Sequence, residues 1–136
     1  MILADTSAWI EFDRASGSAV DTRMTELISA GNGLAVSEPI VMEVLAGART
    51  DEREMQLRSL LQQFPRIPYD SAPDFDGATR IYRRCRRVGI TPRGMVDCMI
   101  AAVAWRTRAT LLAYDRDLAQ IAQVMDIEQD DASLRA

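Results

Sequence analysis

Residues 2–12 read ILADTSAWIEF, in which an apolar triplet is followed at once by Asp5, Thr6 and Ser7. The triplet predicts a short buried strand. Aspartate, threonine and serine favour the N-cap of a helix, so the same stretch predicts that a helix begins directly after the strand. A strand that passes straight into a helix is the building unit of α/β proteins.

The rest of the chain continues this alternation. The predicted helices cover residues 19–30, 38–45, 51–63, 72–88, 95–106 and 118–125, and the predicted further strands cover residues 34–36, 66–69, 110–113 and 127–129. This order predicts an α/β fold with three layers, α/β/α, around a central parallel sheet of four to five short strands. Ligands of such folds bind beyond the carboxyl ends of the strands.

The composition is that of one folded domain covering residues 1–136, with 48% hydrophobic and 26% charged residues. The longest mainly apolar run, residues 95–105, is too short to span a membrane, and the first residues lack the pattern of a signal peptide. We therefore expect a cytoplasmic protein with no membrane contact. Cys85 and Cys98 lack a CxxC spacing and are expected to be small buried hydrophobic residues.

Two absences restrict the chemistry. The chain has no histidine, which excludes a serine–histidine triad and a histidine-bound zinc site, and all 16 basic residues are arginine. Without lysine there can be no P-loop with a GKS or GKT sequence and no Schiff-base lysine. The 20 Asp and Glu residues remain, and carboxylates suit hard cations such as Mg²⁺ and Mn²⁺.

The net charge of −4 argues against a nucleic-acid partner, but the basic residues are unevenly distributed. Six arginines lie within 14 positions: Arg80, Arg83, Arg84, Arg86, Arg87 and Arg93. They could complement the dipole of the predicted helix 72–88 and solvate its outer face, or they could contact RNA phosphates. Both interpretations can hold at once.

Four acidic residues stand where this architecture would bring them together. Asp5 follows the first predicted strand and Asp115 follows the fourth, while Glu43 lies inside an apolar helical segment and Asp97 is the only charge within residues 95–105. Hydrolysis of a phosphodiester needs an activated water and neutralisation of the phosphoryl oxygens. A pair of Mg²⁺ or Mn²⁺ ions about 4 Å apart provides both without a histidine base.

Each acid also has a structural interpretation. Asp5 and Asp115 could cap the helices that follow them, and Asp97 could pair with Arg93, four positions earlier. Glu43 has no cation three or four positions away, and a buried carboxylate without a partner costs several kcal/mol or becomes protonated. One shared metal site accounts for all four acids together.

Four segments of the chain are similar to PIN domains, specifically to the VapC toxins of bacterial and archaeal toxin–antitoxin pairs. The segments are ILADTSAWIE (2–11), SEPIVMEVLAGA (37–48), GMVDCMIAAVAW (94–105) and LLAYDRDLAQIA (111–122). Their order and spacing match the family pattern over nearly the full length. The resemblance implies an endoribonuclease whose acidic quartet is Asp5, Glu43, Asp97 and Asp115, with one or two Mg²⁺ or Mn²⁺ ions held most dependably by Asp5 and Asp97.

The resemblance extends to the neighbours of these acids. Thr6 and Ser7 match the family's hydroxyl positions, which hold the first acid and position water or phosphate. Asp117 matches a further or substitute ligand. Tyr114 departs from the small hydroxyl residue often found before the fourth acid, so a hydroxyl contact is not expected there.

The resemblance also implies partners. These are an RNA substrate, a cognate VapB-type antitoxin whose C-terminal tail lies in a groove and obstructs the site, and a homodimer or a hetero-oligomer with the antitoxin. Apolar residues that could line such a groove, or could simply fill the core, occur on two predicted helices: Trp9, Ile10, Phe12, Leu57, Leu60, Leu61 and Phe64.

Two other functions fit the sequence less well. Proteins that transfer phosphate through an acidic nucleophile ordinarily need a lysine, and one class of them needs Asp-x-Asp where this chain has Asp5, Thr6 and Ser7. A PIN-like protein that binds without cutting would be expected to lack one of the four acids, and all four are present.

Overall fold

A central strand organises the molecule. The computed structural model describes residues 1–135, in which three parallel strands, β1 (Ile2–Ala4), β2 (Leu34–Ala35) and β3 (Thr110–Leu112), form a sheet in the order β2-β1-β3. Leu3 of β1 aligns with Ala35 on one side and with Leu111 on the other, and all three are buried. Strands buried on both faces explain why these segments are continuous apolar runs.

The prediction of four to five strands was too high for the described residues. Segments 66–69 and 127–129 each contribute one isolated parallel bridge, Val36 with Arg66 and Leu111 with Gln129, at the two edges of the sheet. Prolines on both sides of 66–67 remove the N–H groups that a longer ladder would need. At the other edge, the Asp130 carboxylate accepts from the N–H of Ala132 and turns the chain away.

Seven helices occur within residues 1–135, and their bounds follow the sequence prediction closely. They are α1 (Thr6–Asp13), α2 (Ala19–Ala30), α3 (Glu38–Ala46), α4 (Asp51–Leu61), α5 (Ser71–Arg87), α6 (Met95–Thr107) and α7 (Arg116–Met125). Gly31 ends α2 with a left-handed φ of 74°, which glycine adopts without a steric penalty. Among the described residues, no helix is long and apolar enough to cross a membrane.

The direction of the strand connections places the helices in two layers. From β1 the chain passes through α1–α4 and β2 to the bridge at Arg66, at one edge of the sheet. From there it returns through α5 and α6 to β3, and it continues through α7 to Gln129 at the opposite edge. Because such connections are right-handed, the two sets lie on opposite faces of the sheet. The closest packing, of α1 with α2 and of α5 with α6, falls within these sets. The predicted α/β/α layering is therefore confirmed.

Helices α5 and α6 pack very closely in antiparallel directions. A Cβ added at Gly77 of α5 would lie 3.3 Å from the Cβ of Ala102 on α6, so glycine permits the approach. Cys85 and Cys98 are fully buried free thiols, as expected, and burial raises the pKa of Cys98 to about 12. Small residues on both helices therefore permit this close spacing.

An ion pair between a buried aspartate and a half-buried arginine joins the start of α5 to the end of α6. The Asp74 carboxylate, 1% exposed, accepts from Nε and Nη2 of Arg106 at 2.8 Å each and from the N–H of Asp70 at 2.7 Å. Arg106 also donates to the carbonyl of Pro68. This bidentate pair ties the start of α5 to the end of α6 and to the loop before α5.

Replacing Arg106 with alanine is therefore expected to lower the free energy of unfolding by about 3 kcal/mol, because the buried Asp74 carboxylate loses its counter-charge. Urea denaturation of wild type and variant measures the change. Arg80→Ala is the matched control, since Arg80 also pairs with an aspartate, Asp76, but both side chains are exposed. Equal effects of the two substitutions would contradict the importance of this pair.

Candidate active site

The candidate site lies at the point where the strand order reverses. The connections that leave β1 and β3 run in opposite directions, so a crevice opens between the carboxyl ends of these two neighbours. The N–H of Asp5 donates to the carbonyl of Leu112 at 2.9 Å, which extends the pairing of β1 and β3 up to the edge of the crevice. The first residues beyond the two strands are therefore held side by side.

The structure brings all four predicted acids to one cavity of about 410 Å³. Asp5 follows β1, Glu43 comes from α3, Asp97 from α6, and Asp115 follows β3. The remaining lining consists of Thr6, Ser7, Ile10, Arg93, Gly94 and Val96. Asp117, the further candidate, is not part of this lining and contacts Arg93 instead.

Asp5 is the most buried of the four acids, at 1% exposure. Its Oδ2 accepts from the backbone N–H of Ser7 at 3.1 Å and from the Ser7 hydroxyl at 2.7 Å, and the Ser7 Oγ in turn accepts from the N–H of Tyr114 at 2.8 Å. The other oxygen, Oδ1, is buried and has no hydrogen-bond partner among the described residues. One oxygen of the carboxylate is thus fixed by hydrogen bonds, while the other has no hydrogen-bond partner within residues 1–135.

Glu43 is held by a hydroxyl group. Thr6 Oγ1 donates to Glu43 Oε1 at 2.6 Å, joining the first turn of α1 to the middle of α3. The sequence offered Glu43 no nearby cation on its own helix, and within residues 1–135 it forms no ion pair. The Thr6 contact orients the carboxylate without neutralising it.

Asp97 lies in the first turn of α6, where the positive end of the helix dipole favours a carboxylate. Burial nevertheless raises its pKa to about 7, and the negative charges of Asp5, Asp115 and Glu43 add to the increase while Arg93 opposes it. Burial also raises the pKa of Asp5 to about 6, against the two hydrogen bonds from Ser7 and with Asp115 and Glu43 adding to the increase. Both shifts reflect carboxylates that are poorly hydrated and close to one another.

The alternative that Asp97 pairs with Arg93 was wrong. Arg93 precedes α6 instead of belonging to it, and its guanidinium contacts Asp115 at 3.2 Å and also contacts Asp117. No ion pair between Arg93 and Asp97 is present within the described residues. Arg93 was predicted only as one of six clustered arginines that could contact RNA, not as a residue of the acidic site. The only sequence feature that could have indicated it is the glycine-flanked loop that brings it beside α6.

Asp5 and Asp115 cap helices, as the structural interpretation predicted, and they also line the cavity. Asp5 is the N-cap of α1, and Asp115 is the N-cap of α7, where its Oδ1 accepts from the N–H groups of Asp117 at 2.8 Å and Leu118 at 3.3 Å. In both residues a single oxygen performs the capping, so capping fixes the carboxylate without consuming it.

The donor set fits a hard divalent cation. As the side chains stand, no three Asp, Glu or Cys residues within 1–135 form a group that could hold one ion, so binding requires carboxylates around the cavity to turn toward a shared centre. The Oδ1 of Asp5, which has no partner in the described part of the chain, is a buried oxygen that a cation would satisfy. Carboxylate oxygen is also the donor that Mg²⁺ and Mn²⁺ prefer.

The fold and the cavity define a class of protein: an α/β domain with an acidic site at the switch point of its sheet. Residues 2–124 match the model of the PIN domain family. The chain is 41% identical over 129 residues to VapC ribonuclease Mb1587 of Mycobacterium bovis, covering 94% of this chain and 96% of that one, and equally so to ribonuclease VapC11 of Mycobacterium tuberculosis. The chain belongs to the PIN domain family and, within it, to the VapC ribonucleases.

Solved structures agree on the fold. DNA-bound VapBC from Salmonella typhimurium matches with a TM-score of 0.74 at 20% identity, covering 96% of this chain and 97% of that chain. FitAcB from Neisseria gonorrhoeae matches with a TM-score of 0.74 at 22% identity, covering 97% and 98%. At these identities the likeness supports the architecture alone.

In EDTA, the free energy of unfolding is expected to fall as the pH rises from about 4 to about 7.5. Asp5 and Asp97 have raised pKa values in the folded state, about 6 and about 7, so the folded protein binds more protons than the unfolded chain between pH 4 and 7. Their contribution is complete below pH 4 and is lost as the pH rises through 6 to 7. The loss is on the order of 2–4 kcal/mol per carboxyl.

Comparing Asp97→Asn with wild type by urea denaturation at each pH isolates the effect. The variant should gain stability relative to wild type as the pH increases, because it has no carboxyl to deprotonate at this position. A constant difference across the range would show that the acid cluster does not strain the folded state.

Proposed function

We propose that this chain is a metal-dependent endoribonuclease that acts as the toxin of a VapBC-type toxin–antitoxin pair. The observation that carries the proposal is that four acids from four separate parts of the chain line one cavity. Membership of the VapC ribonucleases supports RNA as the substrate. The acidic cavity supports one or two Mg²⁺ or Mn²⁺ ions as the cofactor.

Asp5 and Asp97 are the principal metal-binding residues of this proposal. Asp5 offers a buried oxygen that has no hydrogen-bond partner within residues 1–135, and the Ser7 contacts hold its other oxygen in place. Asp97 shares the cavity, and burial together with its negative neighbours makes the charged form unfavourable until a cation is bound. Glu43 and Asp115 complete the set of ligands.

When bound, Mg²⁺ or Mn²⁺ activates a water molecule and neutralises charge on the phosphoryl oxygens. The residues of the chain position the reactants. Thr6 orients Glu43 through Oε1, so that Oε2 is available either to the cation or to a proton of the attacking water; the chain has no histidine for the second role. Arg93 has a 69% exposed side chain at the cavity, where its guanidinium can transfer from Asp115 to a phosphate of the incoming RNA.

Asp97→Asn is expected to abolish cleavage of single-stranded or looped RNA while leaving the fold intact or slightly stabilised. The amide keeps the shape of the side chain but removes a charge that would hold the cation and that repels its neighbours. Cleavage and thermal melting should be measured together, with EDTA and with Mn²⁺. Mn²⁺ should raise the melting temperature of the wild type but not that of the variant.

Asp76→Asn is the matched control, since Asp76 is exposed on α5 and away from the cavity lining. It should cleave RNA and gain stability from Mn²⁺ as the wild type does. An active Asp97→Asn protein with a lowered melting temperature would overturn the metal assignment, and undiminished wild-type cleavage in EDTA would overturn the metal mechanism. Sequencing the cut ends of cellular RNA after induction identifies the RNA.

A groove beside the cavity supports an antitoxin segment as the partner. A second cavity of about 400 Å³ lies between α1, α3 and α4, with apolar lining from Trp9, Val44 and Leu57, and it shares Ile10 and Glu43 with the acidic cavity. A peptide in this groove could pack on the apolar lining and could extend over the catalytic acids.

Ile10→Gln is expected to weaken binding of the cognate antitoxin roughly tenfold, because it removes about 1–2 kcal/mol of apolar burial at the junction of the two cavities. Calorimetric titration of toxin with antitoxin measures the affinity. Met42→Gln is the control, since Met42 is similarly exposed, at 52% against 45% for Ile10, but lines neither cavity. Equal affinities of the two variants would place the antitoxin elsewhere.

A further inference from the structure

The outer face of α5 carries four exposed arginines, Arg83, Arg84, Arg86 and Arg87, which we call the arginine ridge. Arg80, one turn earlier, pairs with Asp76, whereas the ridge forms no ion pair within residues 1–135. Between Asp76 and Asp97 the sequence contains six arginines and no acidic residue. The ridge is thus a local concentration of uncompensated positive charge on a chain whose net charge is −4.

The helix dipole accounts for only part of this concentration. Arg84, Arg86 and Arg87 lie in the last turn of α5, where positive charge is favourable. However, Arg83 and Arg87 are four positions apart and Arg84 and Arg87 are three apart, so they repel one another on the same helix surface. One or two arginines would satisfy the dipole without this repulsion. A polyanion would relieve it.

The ridge borders a groove that contains an exposed tryptophan. A cavity of about 540 Å³ is lined by Arg83, Arg84 and Arg87 of the ridge together with Trp105 of α6, and no acidic residue contributes to its lining. Trp105 is 45% exposed, while the other tryptophan, Trp9, is 2% exposed. Arginines beside an exposed aromatic ring are the combination that binds single-stranded nucleic acid, since the arginines contact phosphates and the ring stacks on a base.

The ridge lies toward the end of α6 that carries an acid of the catalytic cavity. Asp74 pairs with Arg106 at one end of the antiparallel helices α5 and α6, so the ridge, at the other end of α5, lies toward the start of α6. Asp97 is in that first turn, eight residues before Trp105, which corresponds to about 12 Å along the helix. Arg93 of the acidic cavity lies six residues after Arg87, in the segment that joins α5 to α6, so a strand that leaves the cavity could pass over this segment onto the ridge.

We propose that the arginine ridge and Trp105 form a second contact surface for single-stranded RNA, outside the catalytic cavity. The proposal rests on the proposed ribonuclease function and specifies how that enzyme holds the flanking part of its substrate. Single strands are favoured over duplexes because only an unstacked base can lie on the Trp105 ring. The salt dependence of binding reports the arginine contacts separately from stacking.

The test compares two triple variants of equal charge in EDTA, where metal-dependent cleavage does not occur. R83Q/R84Q/R87Q removes arginines of the ridge, and R58Q/R66Q/R135Q removes three exposed arginines that already pair with carboxylates. The probe is a fluorescein-labelled, 20-nucleotide single-stranded RNA of mixed sequence, and anisotropy gives Kd at several salt concentrations. Circular dichroism verifies that both variants are folded.

The ridge variant should bind the RNA at least tenfold more weakly than wild type, and the control within about twofold. The slope of log Kd against log salt should decrease by about 2 in the ridge variant, because each lost phosphate contact on a single strand contributes about 0.7. Trp105→Leu should weaken binding roughly 5- to 100-fold. RNA should quench the tryptophan fluorescence of wild type but not that of Trp105→Leu, whose remaining tryptophan is buried.

Several results would overturn the proposal. One is equal affinity of the ridge and control variants, and another is unchanged Trp105 fluorescence on saturation with RNA. Equally tight binding of a 20-base-pair duplex RNA would also contradict it. Loss of a dimer in the ridge variant, seen by light scattering, with normal RNA binding by Trp105→Leu would identify the surface as an interface between copies.

The failure of this surface and the failure of the proposed function are distinguishable. Wild-type cleavage of the same RNA in Mn²⁺, together with equal binding by the two triple variants, would reject the surface alone. Absence of wild-type cleavage, together with the expected binding differences, would reject the nuclease function and retain the surface as an RNA-binding site.

Discussion

The arrangement of this molecule depends on holding several carboxylates near one another in a poorly hydrated crevice. Such a cluster opposes folding, because burial and mutual repulsion both disfavour the charged forms, as the raised pKa values of Asp5 and Asp97 indicate. The surrounding structure must therefore supply the stability. Parallel pairing of β1 with both neighbours and the fully buried side chains of the sheet provide it, directly below the site.

The hydroxyl groups of Ser7 and Thr6 fix the geometry of the cavity without removing charge. Ser7 receives a hydrogen bond from the backbone of Tyr114 and donates its own to Asp5, so the residue after β1 is tied to the segment after β3. Thr6 ties α1 to Glu43 in a similar way. Hydroxyl groups orient the carboxylates but leave their charge available for a cation. Lysine or arginine in these positions would have neutralised the charge.

Much of the fold could be predicted from the sequence because its signals are local. N-cap residues mark most helix starts, glycines end α2 and α3, and short apolar runs mark the three strands. Segments 66–69 and 127–129 were predicted as strands but form only one bridge each, because strand propensity does not determine how many hydrogen bonds a segment makes with its neighbour. The convergence of the four acids followed from strand order. The partner of Arg93 could not be predicted, because loop conformation places it beside Asp115 and Asp117 instead of Asp97.

Net charge is a poor guide to partners when opposite charges are separated within one chain. The value of −4 includes the four acids of the cavity, and two divalent cations bound there would bring the sum to zero. The arginines of α5 lie on another surface and are not neutralised by these acids. An approaching polyanion is therefore repelled by the cavity in the absence of metal but attracted by α5 in either state. Metal binding would determine whether the phosphodiester backbone can enter the cavity, while α5 would attract the strand regardless.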